Sequence, residues 1–128
     1  MYILEVESDF SAAHQLREYQ GKCENLHGHN WRVRVAVSGE NLDRSGMLLD
    51  FGELKRILNE CTAPLDHVFL NDLETFGKIN PTSENIACYL SLELQRRLPE
   101  DICVTSVTVW ESDKCRATYY PPKRTGNE

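Results

Sequence analysis

The sequence predicts an α+β fold: a four-stranded antiparallel sheet with two helices on one face, in the order β-β-α-α-β-β. Three observations carry this prediction. Apolar residues alternate with polar ones near both ends of the chain. Two central segments instead repeat apolar residues at helical spacing behind capping residues. Strands of period two before and after a helical pair suit an antiparallel sheet covered on one side.

Residues 2–10 place Tyr2, Leu4, Val6 and Phe10 on one parity and Glu5, Glu7 and Asp9 on the other, as a half-buried strand does. Continued without a bulge, that parity puts Ala12 and His14 on the apolar side. Residues 15–26 read as a polar connection containing Tyr19, Gly21 and Cys23. Residues 29–38 alternate again, with Trp31, Val33, Val35 and Val37 facing in and Arg32, Arg34 and Ser38 facing out. His27 and His29 share the inward parity. Asp50 followed by Glu53 reads as a capping box ahead of Leu54, Ile57, Leu58 and Cys61, and Pro64 ends that helix. Thr82 or Ser83 caps the second helix, with Glu84 in its first turn favouring the dipole. Ile86, Leu90, Leu94 and Leu98 repeat along it until Pro99. Residues 103–111 and 117–120 read as the last two strands, closed by Pro121-Pro122. Residues 1–122 thus read as one domain and 123–128 as a polar tail. So short a sheet leaves its edges open, which points to oligomerisation through edge strands.

With 128 residues and 41% hydrophobic composition, the chain can bury one real core. The net charge of −6 argues against a sequence-independent nucleic-acid binder, though not against an anionic small molecule held by a local basic patch. No apolar stretch approaches the roughly 20 residues of a membrane helix. Met1 to Phe10 carries three acids and no base, unlike a signal peptide. The five cysteines are odd in number and lack C-x-x-C spacing, so free thiols in a cytoplasmic setting are expected. Cys61 and Cys88 fall in helical patterns and read as small hydrophobes.

The chemistry gathers around His27-Gly28-His29. On a strand, residues i and i+2 project to one face and can share an ion. His14, at the same parity of the preceding strand, offers a third nitrogen. Three protein ligands leave one position open, as in catalytic zinc sites. An isolated H-x-H is more often a simple pair of strand histidines. Here three converge on an apolar face, where an uncompensated imidazole cluster would be costly. Cys23, in C-x3-H-G-H, reads either as an activated thiol serving as base or nucleophile or as a fourth, structural zinc ligand. Spacing alone does not choose between these. Asp66-His67 reads as a pH-poised proton carrier or as an ordinary polar loop pair. Glu111, on the parity of Val107 and Val109, is either buried and functional or a solvated strand end. Thr82-Ser83-Glu84 is a helix cap whose N–H groups could also hold ligand heteroatoms. Arg32 and Arg34 read as a solvated strand face.

FSAAH at 10–14, CENLHGHNW at 23–31, LLDFGELK at 48–55, LDHVFLN at 65–71, NPTSEN at 80–85 and VWES at 109–112 together resemble the 6-pyruvoyltetrahydropterin synthase superfamily. The resemblance covers nearly the whole chain. The three residues between Cys23 and His27 look like its 6-carboxytetrahydropterin synthase branch, which serves queuosine and other deazapurine pathways. The pyruvoyl-forming branch typically has a longer gap, and a further branch places Glu where this chain has Cys23. The resemblance implies a T-fold whose subunits join sheet edges into a barrel, commonly two stacked trimers, with active sites between subunits. It implies zinc (Zn2+) bound by His14, His27 and His29, with Cys23 as proton acceptor and Asp66 and His67 as a relay. It further implies that Glu111 anchors the pterin ring and that Thr82, Ser83, Asp50 and Phe51 help form its pocket. Lys22, Arg17 and basic residues of a neighbouring subunit are the candidates for holding the triphosphate, and the sequence does not choose among them.

The implied reaction is a zinc-dependent lyase step. It converts 7,8-dihydroneopterin triphosphate to 6-carboxy-5,6,7,8-tetrahydropterin with release of triphosphate and acetaldehyde, and has no nucleic-acid or membrane partner. The competing readings are pyruvoyl formation from the same substrate, epimerase or aldolase activity on a related pterin, and a non-catalytic pterin-binding or structural zinc module.

Overall fold

A computed structural model describes residues 1–18 and 25–123. Cys23 and Lys22, and residues 124–128 of the polar tail, lie outside the described residues. Two long strands, β1 (Tyr2–His14) and β2 (His27–Gly39), run antiparallel in one uninterrupted register that pairs Phe10 with Trp31, Ala12 with His29 and His14 with His27. Helix α1 (Phe51–Thr62) follows, then a two-residue strand β3 (Val68–Phe69), helix α2 (Ser83–Arg97), and strands β4 (Cys103–Ser112) and β5 (Cys115–Tyr119). The sheet order is β3-β1-β2-β4-β5. The predicted four antiparallel strands are therefore present, and β3 adds a fifth that pairs parallel to β1 at Ala12 and Ala13.

Both helices lie on one face of the sheet and bury its inward parity. Phe10, Ala12, Trp31, Val33, Val35 and Val37 pack against Leu54, Leu58, Ile86, Leu90 and Leu94 in one core. The Trp31 indole N–H is buried there and donates to the Ala12 carbonyl at 3.2 Å. Cys61 packs in this core as expected, while Cys88 is half-buried. Asp50 caps α1 by accepting from the Glu53 N–H at 3.1 Å, but the reciprocal arm of the capping box is missing because Glu53 holds Arg56 instead. Thr82, not Ser83, caps α2, accepting from the Asn85 N–H at 3.1 Å.

The inward parity weakens at the start of β1, where Tyr2 is 49% exposed. A 13-residue strand reaches about 43 Å and a 12-residue helix only about 18 Å, so the helical layer cannot cover its whole length. The face away from the helices carries Arg34 paired with Glu7 at 2.9 Å. Beside them the Arg32 guanidinium lies 4.0 Å from the centre of the Trp110 ring.

β4 departs from simple alternation twice. Ala36 pairs with Ser106 and Val37 with Val104, so Thr105 is an extra residue, and inward parity passes from Val104 to Val107 across it. Trp110 pairs with Arg116 and Ser112 with Cys115, so Glu111 is the extra residue of a second bulge. Bulges re-aim side chains next to functional sites, and this one presents a carboxylate at the open end of the β1–β2 pair.

Candidate metal centre and proton relay

The register of β1 and β2 brings three imidazoles together at one end of the sheet. His14 is 1% exposed and donates from Nδ1 to the Pro81 carbonyl at 2.8 Å. His27 donates from Nδ1 to the Asn25 carbonyl at 2.9 Å. A carbonyl only accepts, so both rings carry their proton on Nδ1 in the neutral form and keep the Nε2 lone pair. Those two Nε2 atoms face each other at 3.0 Å. Two lone pairs at that distance call for a shared cation between them. Ligands held about 2.0–2.1 Å from a tetrahedral ion stand roughly 3.3 Å apart, so the observed spacing already suits a metal.

His29 and Glu111 complete the cluster. The His29 Nε2 lies 3.1 Å from a Glu111 carboxylate oxygen, and one donor atom from each of the four residues falls within 4.8 Å of the others. The Trp31 ring lies beneath, edge-on to His14 at 4.9 Å and to His29 at 5.3 Å between centroids. Three neutral imidazoles and one carboxylate fit a divalent borderline metal such as zinc. Parity alone aimed Glu111 inward. Its arrival within reach of the three imidazoles depends on the bulge, which alternation did not reveal.

Asp66 and His67 lie on the other side of β1, just before β3. The Ser11 N–H donates to Asp66 Oδ1 at 2.9 Å, and the Ser11 carbonyl accepts from the His67 N–H at 2.6 Å. One residue of β1 thus grips both members of the pair. The same Asp66 oxygen accepts from His67 Nδ1 at 2.9 Å. The Ser11 N–H, assisted by the imidazole, holds the Asp66 carboxyl below the usual carboxylate value against a smaller cost of desolvation. Asp66 is therefore ionised at neutral pH and fixes the His67 tautomer with its proton on Nδ1. His67 adopts φ 58°, a left-handed conformation that costs a non-glycine residue free energy and places its 81% exposed side chain over the sheet edge. A cleft of about 500 Å³ is lined by one member of each group, His29 and His67, together with Gly28, Asn30 and Phe69.

The remaining expected residues divide. Thr82 and Ser83 stand next to Pro81, whose carbonyl holds His14, so the start of α2 adjoins the metal cluster. Asp50 and Phe51 start α1 and are not among the residues lining the cleft; Asp50 is engaged as a cap and Phe51 is 59% exposed. Arg17, a candidate for the triphosphate, instead donates its guanidinium to the carbonyls of Phe76 and Ile79.

The family model described as 6-pyruvoyl tetrahydropterin synthase matches residues 3–122, and the chain belongs to that family. It is 38% identical to the 6-carboxy-5,6,7,8-tetrahydropterin synthase of Synechocystis, over 96% of either chain. It is 36% identical to the human 6-pyruvoyl tetrahydrobiopterin synthase, over 86% of this chain and 85% of that one. Among solved structures, the Caenorhabditis elegans 6-pyruvoyl tetrahydropterin synthase superposes with a TM-score of 0.81 at 32% identity, covering 94% of this chain and 96% of that one. The chain is accordingly a pterin enzyme of the lyase type with a candidate metal site, and no helix among its described residues is long and apolar enough to cross a membrane.

Proposed function

We propose that this protein is a zinc-dependent 6-carboxytetrahydropterin synthase. It converts 7,8-dihydroneopterin triphosphate and one water to 6-carboxy-5,6,7,8-tetrahydropterin, with elimination of triphosphate and cleavage of the side-chain carbon–carbon bond to release acetaldehyde, the water supplying the second carboxyl oxygen. The observation that carries the reading is the pair of facing Nε2 atoms of His14 and His27, completed by His29, which also lines the cleft that holds His67. When bound, zinc supplies Lewis-acid polarisation of the substrate's side-chain hydroxyls. His14, His27 and His29 hold it as neutral donors that leave its charge intact. Cys23 takes a proton from the side chain as a thiolate. His67 exchanges a proton through Nε2 at the neighbouring carbon, and Asp66 orients the ring and stabilises its imidazolium form. The three-residue gap between Cys23 and His27 supports the carboxy branch and so a place in queuosine and deazapurine biosynthesis in the cytoplasm. Mass spectrometry of the products from dihydroneopterin triphosphate tests this directly. Acetaldehyde and the carboxypterin are expected; a product that retains its three-carbon side chain would assign pyruvoyl formation instead.

Glu111 anchors the pterin through the paired donors of its ring edge. Glu111→Ala should therefore weaken binding of a pterin analogue by about 1.5–3 kcal/mol, the worth of hydrogen bonds to a charged group, while zinc content holds. Loss of zinc in the same variant would make Glu111 a metal ligand, a role for which its place beside His29 also qualifies it. Unchanged affinity with zinc retained would return it to a solvated strand end.

The active protein is a homo-oligomer, a hexamer of two stacked trimers, with sites completed between subunits. β5 lies at one edge of the sheet, and β3 covers only Ala12 and Ala13 at the other, which leaves most of β1 available for pairing. Asp50 and Phe51, which are not among the cleft-lining residues of their own chain, would serve a neighbouring site. Light scattering at micromolar concentration should give an assembly near six chains, and a stable, active monomer would overturn this.

A further inference from the structure

The ladder between β1 and β2 ends at His14 and His27, yet the backbone beyond His14 continues to be paired. Its partners are side chains. Asn71 accepts from the Gln15 N–H at 2.9 Å and donates to the Gln15 carbonyl at 2.7 Å. Asn80 accepts from the Arg17 N–H at 2.8 Å and donates to the Arg17 carbonyl at 2.9 Å. A carboxamide carries the same donor and acceptor as a peptide unit, and residues i and i+2 of an extended chain present their polar groups to the same edge. The two asparagines thus stand in for a neighbouring strand over two further positions. Arg17 closes the arrangement by donating to the carbonyls of Ile79 and Phe76 from the same loop.

This clamp adjoins the metal centre at both of its ends. Gln15 follows His14 directly. Asn80 precedes Pro81, whose carbonyl receives the His14 Nδ1–H, and the Asn80 carbonyl is itself fixed by the Thr82 N–H at 2.9 Å and by Asn85 Nδ2 at 2.8 Å. We infer that Asn71 and Asn80 are positioning residues of the metal site, holding the His14 backbone and the Pro81 carbonyl at the separation that selects the metal-binding tautomer of His14. The inference rests on the reading of the histidine cluster as a metal centre. Partners one step removed from the ligands orient them, and their loss typically lowers metal affinity or activity by about 10- to 100-fold.

The test uses Asn71→Asp and Asn80→Asp, which keep size and acceptor but place a carboxylate oxygen against a backbone carbonyl. Asn59→Asp is the control: it makes the same chemical change at an exposed site bonded to Ser8. Zinc affinity is measured by chelator competition, the visible spectrum is recorded on the cobalt-substituted protein, and unfolding is followed on the metal-free protein. A 10- to 100-fold loss of zinc affinity with a displaced cobalt band is expected in both clamp variants and in neither case for Asn59→Asp. Clamp variants that lose thermal stability while zinc affinity stays within about twofold and the cobalt band is unmoved would overturn the inference and leave the asparagines purely structural. Asn71→Ser, a milder loss of one donor pair, gives the same reading if an aspartate variant does not fold. A wild-type protein that binds neither zinc nor cobalt would instead overturn the metal centre itself, and the clamp's role with it.

Discussion

Replacing His29 with alanine is expected to strip most of the metal from the protein and leave the fold standing. His29 supplies one of three imidazoles, and the pair that remains, His14 and His27, is rarely enough for tight zinc binding. The loss should exceed the roughly 10- to 100-fold produced by disturbing a group behind a ligand. Stability should change little, because the apolar core is built from Phe10, Trp31, the β2 and β4 valines and the two helices, and His29 is outside it. That separation also distinguishes this site from a structural zinc module, whose fold depends on its metal. Chelation of the wild-type protein should abolish turnover while its circular dichroism stays native. Elemental analysis of purified His29→Ala decides the matter: full zinc occupancy would remove His29 from the ligand set, and unfolding on chelation would make the metal structural.

The strands show what alternation can and cannot convey. Parity placed His14, His27 and His29 on one face, and that is where they stand, because β1 and β2 pair through Phe10–Trp31 to His14–His27 without a bulge. Parity does not contain register. Only the ladder brings the Nε2 atoms of His14 and His27 to 3.0 Å, and a slip of two residues would have kept every parity and separated the rings. β4 is the opposite case: a single parity through residues 103–111 misses the extra residue at Thr105, so Val104 looks outward in the sequence and is buried in the structure. β3 has two residues and therefore no period to read. Its signal lies in the backbone of Ala12 and Ala13, which no side-chain pattern reports. The same limit hid the asparagine clamp, since Asn71 and Asn80 act on main-chain atoms and look in the sequence like ordinary loop residues.

The second large effect is expected at Cys23. If the thiol is the proton acceptor, Cys23→Ala should lower turnover by about 100- to 10,000-fold, the range a positioned general base contributes, while zinc content and pterin binding persist. If it is a structural ligand, the same change should loosen the metal and destabilise the fold. Three arguments favour the base. His14, His27 and His29 already offer the three protein donors of a catalytic shell with one open position, so the metal needs no thiolate to hold it. A thiol near a divalent cation favours its thiolate and becomes usable near neutral pH. Proton movement between adjacent carbons also requires two acid–base groups, and the Asp66–His67 pair, fixed through Ser11, provides only one of them. Metal content and turnover measured on the same preparation separate the outcomes. A Cys23→Ala protein that has lost its zinc, or one that keeps near-normal turnover with zinc in place, would each refute the assignment of Cys23 as the base.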